Sequence, residues 1–210
     1  MTLTLYHYVH CPFCVRVRMA LGYLELSYSS QVLAYDDEMT PVKLTGKKML
    51  PILTHEQGSI NESLDIITYL DKSNEFKTRT LSLLELETRL NTIGTPVHSL
   101  AMPYWIYTPE FNERSRAYFQ SKKEEKRGPF RDLVKMQPQL MKQVAAELQK
   151  LIPKFEPFFE SSELTIKDIM LASHLWGLYV VPEFQFDPKV HAYLQEVKRL
   201  CRFNYHQDFW

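Results

Sequence analysis

Cys11-Pro12-Phe13-Cys14 falls where a strand-forming run gives way to a helix-forming one, and that placement limits what the chain can be. Upstream, Thr2 to Tyr8 is rich in Thr, Tyr and Leu, with partial alternation, which predicts a buried strand. Downstream, Val15, Met19 and Leu24 recur at helical spacing, with Arg16 and Arg18 turned to other faces. Pro12 suits the first helical turn, where a missing N–H costs nothing. Cys11 is therefore expected at a helix N-terminus, where unpaired N–H groups and the positive end of the helix dipole favour a thiolate. The thiolate is the attacking form, and C-x-x-C motifs lower its pKa. Cys14 lies one turn further on, within reach of Cys11 and expected to be the more buried. The natural division is Cys11 as nucleophile and Cys14 as resolving thiol, through a mixed disulfide.

Other uses of the pair fit less well. A structural zinc site wants four ligands, and there is no second C-x-x-C. His7 and His10 would have to fold back from the same segment, so no metal is expected. A disulfide across a two-residue spacer closes a very small loop and stabilises little. Redox chemistry is the best reading of the spacing.

The 210 residues fit one large domain or two small ones, and 25 basic residues balance 25 acidic ones. That balance argues against a nucleic-acid footprint or a polybasic membrane surface. No apolar run is long enough to span a bilayer, and the sequence opens into a strand without a signal-like segment. With three cysteines and no disulfide framework, a cytoplasmic, reducing location is the expectation. Cys201 reads as an apolar filler, with a regulatory thiol as the alternative.

Taken in order, Tyr28 to Val32 reads as a second strand after the first helix. Thr40-Pro41 reads as an N-cap and first helical residue of a short helix that Gly46 ends. Lys47 and Lys48 are solvated charges, or ligands if an anionic small molecule lies beside them. Leu50-Pro51-Ile52-Leu53 opens a third strand, with the proline tolerated at its start. Glu56-Gln57-Gly58 marks a turn between two short strands. Leu64, Ile67 and Leu70 mark a third helix. Its start at Glu62-Ser63 is either ordinary capping by Ser63 or Asn61, or a carboxylate site on free N–H groups. The order β-α-β-α-β-β-α describes a small α/β domain over residues 1–72. Residues 73–80 are polar, lack periodicity and read as a linker.

Residues 81–210 read as all-helical. Leu83, Leu86, Leu90, Ile93, Val97 and Leu100 form an apolar stripe, with Pro96 expected to kink the helix and Pro103 to end it. Met102 to Tyr107 is either core or the wall of a cleft. The charge run Lys122 to Arg127 reads as a solvated helix end. A helix is expected from about Gln139 to Ile152, broken by Pro153 and Pro157. Thr165 to Asp168 resembles a capping box that opens an apolar, buried helix over Ile169 to Val180. A last helix follows Asp187-Pro188 to about Arg202, and the aromatic tail is expected to pack back on the body.

Tyr8-Val9-His10-Cys11-Pro12-Phe13-Cys14, Leu50-Pro51-Ile52-Leu53, Glu62-Ser63-Leu64-Asp65-Ile66 and the Thr165 to Asp168 box together resemble the bacterial glutaredoxin 2 family, across nearly the whole chain. The family joins a thioredoxin-like N-terminal domain to an all-helical one in a glutathione-transferase-like fold, and works as a dithiol glutaredoxin. Phe13 stands where glutaredoxins usually carry tyrosine, keeping the ring and losing the hydroxyl. The resemblance implies a cis Leu50-Pro51 bond and glutathione as co-substrate. Cys11 would hold the tripeptide as a mixed disulfide, and Leu50, presented by Pro51, would pair with its cysteinyl backbone. Glu62 and the Ser63 N–H would hold the γ-glutamyl end, and Lys48 is a candidate for the glycine carboxylate. The implied function is reduction of protein disulfides or glutathione mixed disulfides by a monomer. The rivals are a conjugating glutathione transferase using Tyr6 or Tyr8, a non-enzymatic or channel-like member of the same fold, and an iron–sulfur binder through Cys11 and glutathione.

Overall fold

The computed structural model describes residues 2–154 and 163–204. Its N-terminal part runs β1 (Thr4–His7), α1 (Pro12–Tyr23), β2 (Ser29–Val32), α2 (Met39–Thr45), β3 (Ile52–His55), β4 (Gly58–Asn61) and α3 (Ser63–Leu70). The sheet order is β2-β1-β3-β4, with β1 parallel to β2 and antiparallel to β3, and β3 antiparallel to β4. The central strands β1 and β3 bury Leu5, Ile52 and Leu53 completely, while Ser29, Ser30 and Gln31 leave the β2 edge polar. The expected β-α-β-α-β-β-α order is present, and the Leu50–Pro51 bond is cis.

Two local details differ. Helix α2 begins at Met39, and the Asp37 carboxylate accepts the Thr40 N–H at 2.9 Å, so Asp37 does the capping expected of Thr40. Gly46 ends α2 as expected, with φ of 76° that a glycine adopts at no steric cost.

Residues 73–80 contain no helix or strand, but they are tightly held. Asp71 accepts the N–H groups of Glu75 and Phe76 at 2.8 and 3.0 Å, and the Phe76 ring is fully buried against Tyr23. The Phe76 carbonyl accepts the Ile166 N–H at 2.9 Å, which ties this segment to the helical part.

Among the described residues the helical part contains α4 (Leu84–Trp105), α5 (Glu113–Arg127), α6 (Phe130–Lys135), α7 (Gln137–Leu151), α8 (Ile166–Leu175) and α9 (Pro188–Leu200). Pro96 and Pro103 both lie inside α4, which ends two residues beyond Pro103. The apolar stretch expected as one helix to Val180 breaks at Trp176 into a 3-10 turn, Trp176–Val180. Within that turn Gly177 sits so close to the Trp105 ring that a Cβ there would lie 2.7 Å from it. The capping box is present, with Asp168 accepting the Thr165 N–H at 2.8 Å and Thr165 Oγ1 accepting the Lys167 N–H at 3.3 Å. Pro157 and the tail beyond Asn204 lie outside the described residues.

One apolar core runs through both parts, from Leu5, Val15 and Ile67 to Leu90, Leu171 and Leu194. Helix α1 packs against both α3 and α8 and shares the core with Leu5 and Leu53 of the sheet. The helix that carries the thiols is thus clamped between the two halves.

Candidate active site

Pro12 occupies the first turn of α1, and Cys11 is its N-cap residue with extended backbone (φ −76°, ψ 123°). The Cys11 carbonyl accepts the Val15 N–H at 2.9 Å, so the helix begins at the cysteine itself. Cys11 is half-buried, whereas Cys14 is fully buried. The Cys11 thiol is pushed down, to about 6, chiefly by hydrogen bonding from the Cys14 thiol. Burial opposes this, and the N–H groups of Cys14 and Phe13 and the charge of His10 assist it. The Cys14 thiol is pushed up by burial and by its neighbour, although the Tyr8 N–H donates to its sulfur at 3.4 Å. One sulfur, half-buried at the cleft, favours the thiolate, while the other, fully buried behind it, favours the protonated thiol. This is the asymmetry thiol–disulfide exchange uses.

His10 was not expected to matter beyond zinc, but it anchors the site. Its ring lies 5.2–5.3 Å from those of Trp105, Phe111 and Phe119, and 5.6 Å from Tyr8. His10 Nδ1 is 3.1 Å from the Glu110 carboxylate, and these side chains are only 6% and 4% exposed. The other Glu110 oxygen accepts the Val9 N–H at 2.9 Å. A carboxylate from the helical part thereby holds the backbone that precedes Cys11 and lies against the His10 imidazole. Among the described residues no cluster of three or more His, Cys, Asp or Glu side chains is arranged to hold a metal ion.

The remaining expected site residues are distributed around Cys11. Leu50 lines the same cleft as Cys11 and packs with Cys14 and Tyr8, and Pro51 is buried beside it. Glu62 is exposed at the N-cap of α3, with φ of 69°. Ser63 is buried, and its hydroxyl accepts from Arg16 at 3.1 Å. Arg16, expected to face away, is buried with its guanidinium 5.1 Å from the Phe13 ring. Lys48 does not line the Cys11 cleft but the pocket adjoining it, its ammonium 5.3 Å from the Tyr35 ring, 2.9 Å from Glu38 and 3.2 Å from the Tyr118 hydroxyl.

The cleft beside Cys11 has a volume of about 530 Å³. Met102 and Trp105 are core and cleft wall at once, so both readings of that aromatic stretch hold in part. Lys123, Lys126 and Arg127 line the cleft too, which corrects their reading as a merely solvated helix end. Their spacing of three and four was the available signal, since it places all three on one helix face. Glu110 carried no comparable signal. Burial pushes the Tyr8 hydroxyl up, away from the ionised form a tyrosine-activated transferase would use. Cys201 is fully buried, and burial pushes its thiol up as well, consistent with a filler.

A four-stranded thioredoxin-like unit, a cis-proline strand beside a C-x-x-C helix start and an all-helical second part together define a dithiol protein of glutathione-transferase fold. Comparison with known proteins narrows the class. Residues 5–77 match the glutathione S-transferase N-terminal domain, and residues 85–208, more than half of the chain, match the glutaredoxin 2 C-terminal domain. Glutaredoxin 2 of Escherichia coli K12 is 31% identical over 209 residues, covering 95% of this chain and 96% of that protein. The structure of Salmonella typhimurium glutaredoxin 2 in complex with glutathione matches with a TM-score of 0.83 and 28% identity, covering 99% and 98% of the two chains. A glutathione transferase of Phanerochaete chrysosporium, at 16% identity and a TM-score of 0.76 over 97% and 100% of the chains, shares the fold. The chain belongs to the glutaredoxin 2 family.

Proposed function

We propose that the protein is a glutathione-dependent thiol–disulfide oxidoreductase that reduces protein disulfides and glutathione mixed disulfides. The observation that carries this is the split within one motif, a thiolate-favouring Cys11 at the start of α1 and a buried, protonated Cys14 one turn behind. In the forward step the Cys11 thiolate attacks one sulfur of the substrate disulfide, and the other sulfur leaves as a thiolate. Cys14 or glutathione then attacks the mixed disulfide, and glutathione restores both thiols.

Glutathione is read as lying along Leu50 and Pro51, with its γ-glutamyl end at Glu62 and the Ser63 N–H. The positive φ of Glu62, at the start of α3, is in keeping with this, because strained backbone clusters at ligand sites. Lys48 is a reserve partner for the glycine carboxylate, reached only by leaving Glu38. We read the chain as a cytoplasmic monomer, with residues 73–80 joining domains 1–72 and 81–210. Among the described residues no helix is long and apolar enough to cross a membrane.

Cys11→Ser should abolish glutathione-dependent disulfide reduction, and Cys14→Ser should keep exchange with glutathionylated substrates while losing much of its activity on protein disulfides. Full activity of Cys11→Ser would end the reading. Gel filtration with light scattering tests the monomer.

A further inference from the structure

We propose that the cleft between Cys11 and α5 selects substrates whose exchanging cysteine is flanked by an aromatic and by acidic residues. This rests on the exchange reading above and names the part of the substrate that lies beyond the glutathionyl backbone read at Leu50. Glu62 and Ser63 do not line the cleft, while Cys11 and Leu50 do. Its volume of about 530 Å³ falls within the range of roughly 300–1,000 Å³ typical of small-molecule sites, leaving room for side chains on the far sulfur.

The lining states what those side chains should be. Phe13 and Tyr35 present accessible ring surface to an aromatic guest, with the buried rings of Tyr8, Trp105 and Phe119 packed behind them. Lys123, Lys126 and Arg127 form the basic side, and among the described residues no carboxylate lines the cleft, although Glu38, paired with Lys48, and Glu125 line the adjoining pocket that shares Lys123 and Lys126. The nearby acids are taken: Glu125 by Lys122 at 3.7 Å, and Glu124 by Gln120 and the Phe130 N–H at 2.9 and 2.8 Å. Arg127 donates only to neutral acceptors, the Thr95 carbonyl and the Ser99 hydroxyl, both at 3.1 Å. Lys123 lies 5.3 Å from the rings of Tyr35 and Phe119. Burial keeps His98, beside them, neutral, its pKa lowered to about 3. Three cations without a carboxylate partner among the described residues therefore flank an aromatic recess next to the reacting sulfur. Such charge complementarity steers and orients an acidic partner.

In the step this serves, the Cys11 thiolate attacks the glutathionyl sulfur, the sulfur–sulfur bond to the peptide breaks, and the peptide cysteine leaves as a thiolate that takes a proton from water. No external oxidant is required.

Two glutathionylated peptides test this, one with Phe and two Glu around the cysteine, the other with Phe and two Lys. The acidic peptide should be reduced with a kcat/KM about tenfold higher, mostly through KM, with the ratio shrinking as salt rises. In Lys123→Glu/Lys126→Glu the ratio should fall to one or below, and Lys123→Arg/Lys126→Arg should keep it. Binding of the same peptides carrying S-methylcysteine, measured by calorimetry, reports the cleft without any exchange. The acidic peptide binding tighter there, even in a protein inactive in exchange, would support the cleft while ending the exchange reading. Equal kcat/KM and equal binding for the two peptides in the wild-type protein would overturn the proposal, as would a ratio unchanged by charge reversal.

Discussion

Cys11 takes its character from near neighbours in sequence, one of which, His10, lies against Glu110 of the helical part. The Cys14 thiol and the N–H groups at the helix start are consequences of the motif, but the His10–Glu110 contact is a consequence of packing. Reactivity toward a small alkylating reagent should rise through a midpoint near pH 6, well below the ordinary thiol value near 8.5, and mass mapping should place the label on Cys11. His10→Phe keeps a ring inside the aromatic cage and removes the imidazole. The midpoint should then move up, toward that of an ordinary thiol, because an attraction that favours the thiolate is lost. The same change takes the imidazole from the buried Glu110 carboxylate, at a cost of roughly 1–3 kcal/mol in stability. Adding Glu110→Gln should return part of that stability without returning the thiol midpoint. If the double variant recovers both, the contact acts on the thiol only by holding the fold.

At the scale of elements, the contact between α1 and the end of α9 is unusually close. A Cβ on Gly22 would lie 1.9 Å from the Cys201 carbonyl oxygen, a backbone atom that cannot rotate away. Gly22→Ala should therefore cost about 3 kcal/mol or more, at the upper end for an overpacked site, read as a fall in the urea midpoint. An unchanged midpoint would show that the two helices separate easily. This contact was not legible in the sequence, where Gly22 is an ordinary residue near a helix end. What was legible had local causes: Pro12 at the start of α1, Gly46 at the end of α2, the Thr165–Asp168 box and Asp187-Pro188 before α9. What was hidden depended on a second element. Asp37 displaced Thr40 as the cap, Gly177 lies against the Trp105 ring of another helix, and Glu110 acts only once α4 and α5 bring it to His10. Lys123, Lys126 and Arg127 were visible as a charge run, but a run does not reveal which cavity its face will meet.

Across the whole molecule, burying a continuous core through both halves also buries imidazoles. His7, in β1, bonds the Ser30 hydroxyl at 2.7 Å, and its pKa is lowered to about 4. His98 in α4 and His174 in α8 are each lowered to about 3. In all three burial is the main cause, and Arg16 adds to it at His174. Each of these is neutral in the native protein at a pH where an unfolded chain would carry the proton. Between the unfolded value near 6.5 and the native values, the unfolded state binds more protons, so stability rises with pH. The contribution is complete above pH 6.5 and is lost as pH falls toward 4 and 3. Near pH 5 these groups together should add about three protons to the pH slope of the unfolding constant, before any carboxylate contributes. His174 donates from Nδ1 to the Met170 carbonyl at 3.0 Å, so glutamine can keep a donor there while removing the titration. His174→Gln should flatten the slope between pH 6 and 4 by about one proton, measured from urea midpoints across that range. An unflattened slope in a folded His174→Gln protein would mean that His174 is not held neutral, and that α8 packs more loosely against α1 than the shared core implies.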